Sequence, residues 1–208
     1  MKKNLFIALE GIDGSGKSTQ VKLLAEKLIH SGHNVYTTCE PTDGPIGTLT
    51  RSILKGTMKA DNRTIAGLFM ADRLDHLLNE VNGVVKKINE GYAVITDRYY
   101  FSSYSYHGTH MDMDWVIDIN KMSTQILRPN VNIFIDVPPE VAMKRITANR
   151  ATTELYETLE NLKKVKEKYL EAFEKLKKEE HIFIVDGNRP AEAISGDIWA
   201  YISGQILS

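Results

Sequence analysis

The stretch Leu5 to Thr19, LFIALEGIDGSGKST, constrains the fold more than any other part of the chain. The apolar run Leu5 to Leu9 reads as a buried strand. It runs into Gly11, Gly14 and Gly16, then Lys17, Ser18 and Thr19. The apolar residues that follow, Val21, Leu24, Ala25 and Leu28, recur at helical spacing. A strand, a glycine-rich turn and a helix are the setting in which G-x-x-x-x-G-K-[ST] cradles phosphate. The backbone from Gly11 to Thr19, with Ile12, Asp13 and Ser15 between the glycines, would turn its N–H groups inward around phosphate oxygens. The positive end of the helix dipole adds to that field. Lys17 would reach the β- and γ-phosphates, and the Ser18 hydroxyl would bind Mg²⁺. The motif implies a nucleoside triphosphate and leaves open what happens to the γ-phosphate.

The chain has 208 residues, 42% hydrophobic and 25% charged, enough for one α/β domain spanning 1–208 with a full core. A net charge of −1 carries no global footprint for nucleic acid or an anionic membrane. One cysteine, Cys39, excludes an internal disulfide and suits a reducing compartment. The apolar run at the start is cut by Glu10 and Gly11, too early for a signal sequence. No apolar run approaches a membrane span. The expectation is a soluble cytoplasmic protein.

Patterning predicts five strands alternating with helices. Strands are expected at Leu5–Leu9, Val35–Thr38, Tyr92–Thr96, Asn130–Val137 and His181–Asp186. Asp61 sits where an N-cap would, ahead of a long helix reaching Val81. One helix is expected over Asp114–Ile126. Another spans Glu154–Lys178, with an apolar stripe from Leu155 to Leu176. Such alternation specifies a parallel sheet covered on both faces, with ligands at the carboxyl ends of its strands. The phosphate loop, Glu40 and Asp97-Arg98 follow strands one, two and three, so they converge on one edge.

Asp97 closes a strand beside the phosphate loop, where it can hold the Mg²⁺ shell, and Arg98 can meet a phosphate bidentately. Phe69 and Arg73 stand four apart on one helix face. They fit a stacked nucleobase with a donor at its carbonyl edge; they equally fit a core phenylalanine and an arginine paired to Asp72 or Glu80. The run Ser102 to Gly108 is dense in hydroxyls, Ser103 among them, and reads as a polar pocket wall or a solvated helix start. His107 and His110 have no further ligand candidates nearby, which argues against zinc. Lys144, Arg145 and Arg150 cluster at a helix end. There they either complement the dipole or act as lid arginines over a triphosphate.

Taken together, these residues resemble a thymidylate kinase over nearly the whole chain. The resemblance rests on ALEGIDGSGKSTQ, EPTDGPIGTLTRSIL, LFMADR, ITDRYYFSSYSYHG and IFIDVPPEVAMKRITANR. EPTDGPIG and a short lid are most similar to archaeal-type members. The resemblance implies a P-loop nucleoside monophosphate kinase fold, with a five-stranded parallel sheet and a lid at about 145–155. It implies transfer of the ATP γ-phosphoryl group to dTMP with Mg²⁺, and a homodimer.

It also implies roles. Asp13 contacts the acceptor sugar 3′-OH, and Glu10 stands in the Mg²⁺ and water network. Phe69 stacks on thymine, Arg73 reads its O4 edge, and Tyr106 crowds the sugar 2′ position. Arg98 holds the acceptor phosphate, with Arg51 near it, and Glu40, Ser102 and Ser103 complete the acceptor side. Some relatives carry a catalytic arginine where this chain has Gly14. Here it would come from the lid, Arg150 first and the ATP-facing Arg145 second. Many relatives have Arg-Glu-Pro-Gly where this chain has Cys39-Glu40-Pro41-Thr42, and Cys39 cannot bind phosphate as arginine would. The readings that compete are a kinase for another pyrimidine monophosphate or a nucleoside, and a P-loop switch that only binds or hydrolyses nucleotide.

Overall fold

The computed structural model describes residues 5–149 and 155–207. Five strands, β1 (Phe6–Glu10), β2 (Asn34–Cys39), β3 (Tyr92–Asp97), β4 (Val131–Asp136) and β5 (Ile182–Asp186), form one sheet in the order β2-β3-β1-β4-β5. All four pairings are parallel. Every residue of β1 is buried, as a strand covered on both faces must be, which is why it reads as an unbroken apolar run. The chain passes to one side of β1 for β2 and β3 and to the other for β4 and β5. The crevice at the carboxyl end of β1 therefore lies where the winding reverses. Register brings the strand ends level: Leu9 and Cys39 both stand opposite Asp97.

Ten α-helices lie among the described residues. The first is α1 (Lys17–His30), which buries Val21, Leu24, Ala25 and Leu28. Next come α2 (Pro45–Leu54) and α3 (Asn62–Leu78), with the Asp61 side chain accepting from the Arg63 N–H as N-cap. They are followed by α4 (Val84–Asn89), α5 (Tyr100–His107), α6 (Met113–Ile119), α7 (Lys121–Ile126) and α8 (Pro139–Asn149). The last two are α9 (Leu159–Leu176) and α10 (Ala191–Tyr201), and a π-helical turn, Ile202–Ile206, follows α10.

Two departures from the sequence reading and one choice it left open have local causes. The helix expected over 114–126 is two, broken at Asn120, whose side chain is drawn inward to Arg73 and to the Val116 carbonyl. The 102–108 run is no solvated helix start: all eight residues of α5 are buried, because α3, α6 and α9 pack around it. The long charged helix begins at Leu159, later than expected, and Leu155 and Leu159 are exposed. The stripe that reaches the core is Leu162, Val165, Tyr169 and Phe173.

Candidate active site

The phosphate loop turns at the end of β1 through three glycines with positive φ, and α1 starts directly behind it. At Gly14 φ is 76°, and a Cβ there would stand 2.4 Å from the Ala142 carbonyl oxygen of α8. Only a residue without a side chain fits between that helix and the loop. Lys17 is buried and donates to the Gly11 and Ile12 carbonyls, both at 3.0 Å. Burial, and then the Arg98 charge, lowers its ammonium pKa to about 8. Ser18 donates to Asp97 Oδ2 at 2.7 Å, which closes the gap between loop and β3.

Arg98, one residue beyond β3, has a left-handed backbone with φ 75°, a conformation uncommon outside glycine. It is held by its N–H on the Leu9 carbonyl at 2.9 Å and by Thr96 Oγ1 on its own carbonyl at 2.8 Å. The guanidinium donates to Gly11 O (3.2 Å), Ser102 Oγ (2.9 Å), Tyr106 Oη (3.2 Å) and the Asp13 carboxylate. Tyr106 donates to Asp13 Oδ2 at 2.7 Å. Burial opposes ionisation of Asp13, but Arg98 and Lys17 outweigh it and hold the carboxyl below its usual range. Asp13, Arg98 and Tyr106 thus form one hydrogen-bonded cluster.

These groups open onto one cavity of about 670 Å³. Of the residues expected at the site, it is lined by Asp13, Gly14, Ser15, Gly16, Lys17, Ser18, Thr19, Glu40, Arg51, Phe69, Asp97, Arg98, Ser102, Ser103, Tyr106 and Arg145. Among the described lining residues six are cationic and four acidic, so a chain of net charge −1 still presents an anion-attracting cleft. Phe69 meets the His107 ring edge-on at 5.1 Å. Arg51 donates to Asp43 at 2.6 Å. Arg145 reaches from α8 to the Gly14, Ser15 and Gly187 carbonyls at 3.5, 3.4 and 3.1 Å.

Gly11 and Ile12 do not line the cavity, and neither do two charged residues expected at the ligand, Arg73 and Glu10. Arg73 is fully buried: Nε and Nη2 donate to Glu40 Oε2 at 2.9 and 2.6 Å, and Nη1 to Asn120. His76 bridges Glu40 Oε1 at 3.0 Å and Thr38 Oγ1 at 2.8 Å. Burial works against the Glu40 carboxylate, yet Arg73 and His76 keep its pKa below the usual value. Glu40 therefore faces the cavity and Arg73 stands behind it, in place of the expected contact with the base edge. Glu10 is likewise fully buried and off the cavity wall, its carboxylate taken up by protein donors rather than set out for Mg²⁺. Burial raises its pKa. Arg150 lies outside the described residues.

His107, within the run read as a pocket wall, stands four after Ser103 on α5, and neither its ring nitrogens nor Ser103 Oγ has a hydrogen-bond partner among the described residues. Other wall residues went unread in the sequence. Tyr156 and Glu157 follow the expected lid, with the Tyr156 ring 5.8 Å from that of Tyr106. Arg189 lies past the carboxyl end of β5, where the strand-end rule already points.

The family model described as "Thymidylate kinase" matches residues 9–198. Three curated relatives carry the printed name "Probable thymidylate kinase". The one from Pyrobaculum aerophilum is 40% identical over 195 residues, covering 93% of each chain. The one from Caldivirga maquilingensis is 36% identical over 202 residues, 95% of this chain and 93% of its own. The one from Methanocaldococcus jannaschii is 35% identical over 204 residues, 97% of each.

Proposed function

The chain belongs to the thymidylate kinase family, and from that premise we propose how its residues divide the transfer of the ATP γ-phosphoryl group to dTMP. Its activity is ATP-dependent phosphorylation of dTMP to dTDP with release of ADP, a step toward dTTP. The observation that carries the division of labour is the shared cavity. On it the phosphate loop faces a preformed Asp13–Arg98–Tyr106 cluster.

The loop amides and Lys17 hold the donor phosphates. Arg98 turns from Asp13 toward the acceptor phosphate and sets its oxygen in line with the γ-phosphorus. Asp13 is then free to accept from the sugar 3′-OH, and Tyr106 closes the space beside C2′. A bond forms from the acceptor oxygen to the γ-phosphorus while the bond from that phosphorus to the β-γ bridging oxygen breaks. The acceptor oxygen is already anionic, so no protein base is required. Phe69 offers the base a ring to stack on, with Glu40, Ser103 and His107 as polar neighbours. Arg73 serves by holding Glu40. Arg51 and Arg145 supply positive charge at the acceptor and donor ends. The segment 145–155 is the lid, and Arg150 its catalytic arginine.

Mg²⁺ fits the donors present: the Ser18 hydroxyl and Asp97 carboxylate are hard oxygen ligands 2.7 Å apart at the cavity wall. When bound it neutralises charge on the phosphates. No helix among the described residues is long and apolar enough to cross a membrane, and a cytoplasmic homodimer completes the reading.

A coupled assay of ADP release with dTMP, dUMP, dCMP, ribothymidine monophosphate, thymidine and no acceptor tests the assignment. dTMP should give the highest kcat/KM. Thymidine should be inert, because it offers Arg98 no phosphate. Arg98→Lys should lower kcat/KM for dTMP by roughly a hundredfold, since a point charge cannot reproduce the fork. ADP release that is independent of acceptor would overturn the kinase reading in favour of a nucleotide switch.

A further inference from the structure

Glu10 is a buried ionisable group that the scheme above leaves without a task. Its Oε1 accepts from the N–H groups of Tyr99 at 2.9 Å and Ser102 at 3.3 Å. Its Oε2 accepts from the Ser102 hydroxyl at 2.6 Å and the Tyr169 hydroxyl at 2.9 Å. Four donors fill the lone-pair sites of a carboxylate. Tyr169 is fully buried and comes from α9. Its hydroxyl lies 2.8 Å from Ser102 Oγ and 3.4 Å from both the N and the O of Gly11.

The ring of contacts closes through Arg98. Nη1 of Arg98 donates to Ser102 Oγ at 2.9 Å and to Gly11 O at 3.2 Å. Gly11 opens the loop that holds the donor phosphates, and Arg98 is the arginine assigned to the acceptor phosphate. One buried set of hydrogen bonds, centred on Glu10, therefore spans both halves of the site.

We infer that Glu10 and Tyr169 are positioning residues that fix the separation between the phosphate loop and Arg98, and that α9 acts on the site through the Tyr169 hydroxyl. Neither residue lines the cavity, so neither touches substrate. Bonds in a dry interior polarise one another and resist displacement together. In-line transfer is sensitive to such placement, because a 1 Å error far from the chemistry costs about a hundredfold. The kinetic arm of the test rests on the reading in the preceding subsection; the spectroscopic arm does not.

Tyr169→Phe keeps the ring packed on Phe134, 4.9 Å away, and removes only the hydroxyl. Glu10→Gln keeps the shape and reverses part of the hydrogen bonding. Tyr201→Phe, which removes a hydroxyl bonded to His181 at the far end of the sheet, is the control. The measurements are kcat and KM well below each melting temperature, and the Arg98 guanidinium resonances of the ligand-free protein. Each site variant should lower kcat about ten- to a hundredfold with KM for ATP and dTMP within about threefold. The double variant should be no worse than the more impaired single one, as expected of a unit. The Arg98 resonances should shift in both variants and stay in place in the control.

A Tyr169→Phe enzyme with kcat within about twofold of wild type, or with unmoved Arg98 resonances, overturns the inference. If Glu10→Gln does not fold, Tyr169→Phe decides alone. A wild type that makes no ADP with dTMP sinks the kinase reading instead, and the resonances still judge whether Glu10 and Tyr169 position Arg98.

Discussion

Burial holds the His107 imidazole neutral, with the charges of Arg73 and His110 adding to the effect, and lowers its pKa to about 3. An unfolded chain protonates the same ring near 6.5, so below that pH the unfolded state binds a proton that the native state refuses. Stability is lost as pH falls from 6.5 toward 3, at about 1.4 kcal/mol per pH unit from this group alone. Melting curves of wild type and His107→Gln between pH 7 and 4.5 should diverge on the acid side, with the glutamine variant falling less steeply. Lys17 works at the other end of the scale. Its ammonium, with a pKa of about 8 in the nucleotide-free protein, is the form that meets phosphate. The value of kcat/KM for ATP should therefore fall as pH rises through 8, while kcat at saturating ATP holds to higher pH, because bound phosphates favour the ammonium. Parallel pH profiles of the two constants would contradict this assignment.

At the scale of elements, the phosphate loop is pinned from two sides: by α8, through the Ala142 carbonyl across Gly14 and Arg145 on the loop carbonyls, and by β3 through the Asp97–Ser18 bond. Gly14→Ala should cost stability through both its positive φ and the encounter with the Ala142 carbonyl, together about 1–3 kcal/mol. Calorimetric melting would show it, along with weakened ADP binding as the loop shifts. The same geometry explains why this chain has no room for an arginine at 14. Gly14→Arg should fail to restore any turnover lost in an Arg150→Ala variant. Helix α5 shows how packing overrides local composition. Its sequence is rich in hydroxyls and aromatics, yet it is buried along its whole length. Phe101 packs edge-on to Phe173 of α9 at 5.0 Å, and the Tyr100 hydroxyl bonds Glu180 at 2.6 Å. That burial turns Ser102, Ser103, Tyr106 and His107 into a fixed wall.

At the scale of the molecule, large apolar side chains stay exposed on neighbouring helices: Leu78 on α3, Trp115 on α6 and Met122 on α7, with Val81 in the turn after α3. A second copy of the chain covering them is the basis for the proposed homodimer. Sedimentation should give twice the chain mass, and Leu78→Glu should shift it toward the monomer; a wild-type monomer at micromolar concentration would refute it. The sequence by itself determined the layered parallel sheet, the loop at the end of β1 and the strand ends on which the site is built. These follow from short-range regularities: apolar runs, helical spacing, glycines before a lysine. It also singled out Asp13, Phe69, Arg98 and Tyr106, which the fold brings to the wall of one cavity. Only the tertiary structure decided the second layer. Arg73 by its spacing and Glu10 by the family resemblance look like ligand contacts, and neither signal says how deep a residue lies. Depth is set by partners distant along the chain: Glu40 and Asn120 around Arg73, Tyr169 and Ser102 around Glu10. A buried charge must find its donors or acceptors wherever the fold brings them, and no local pattern announces where that will be.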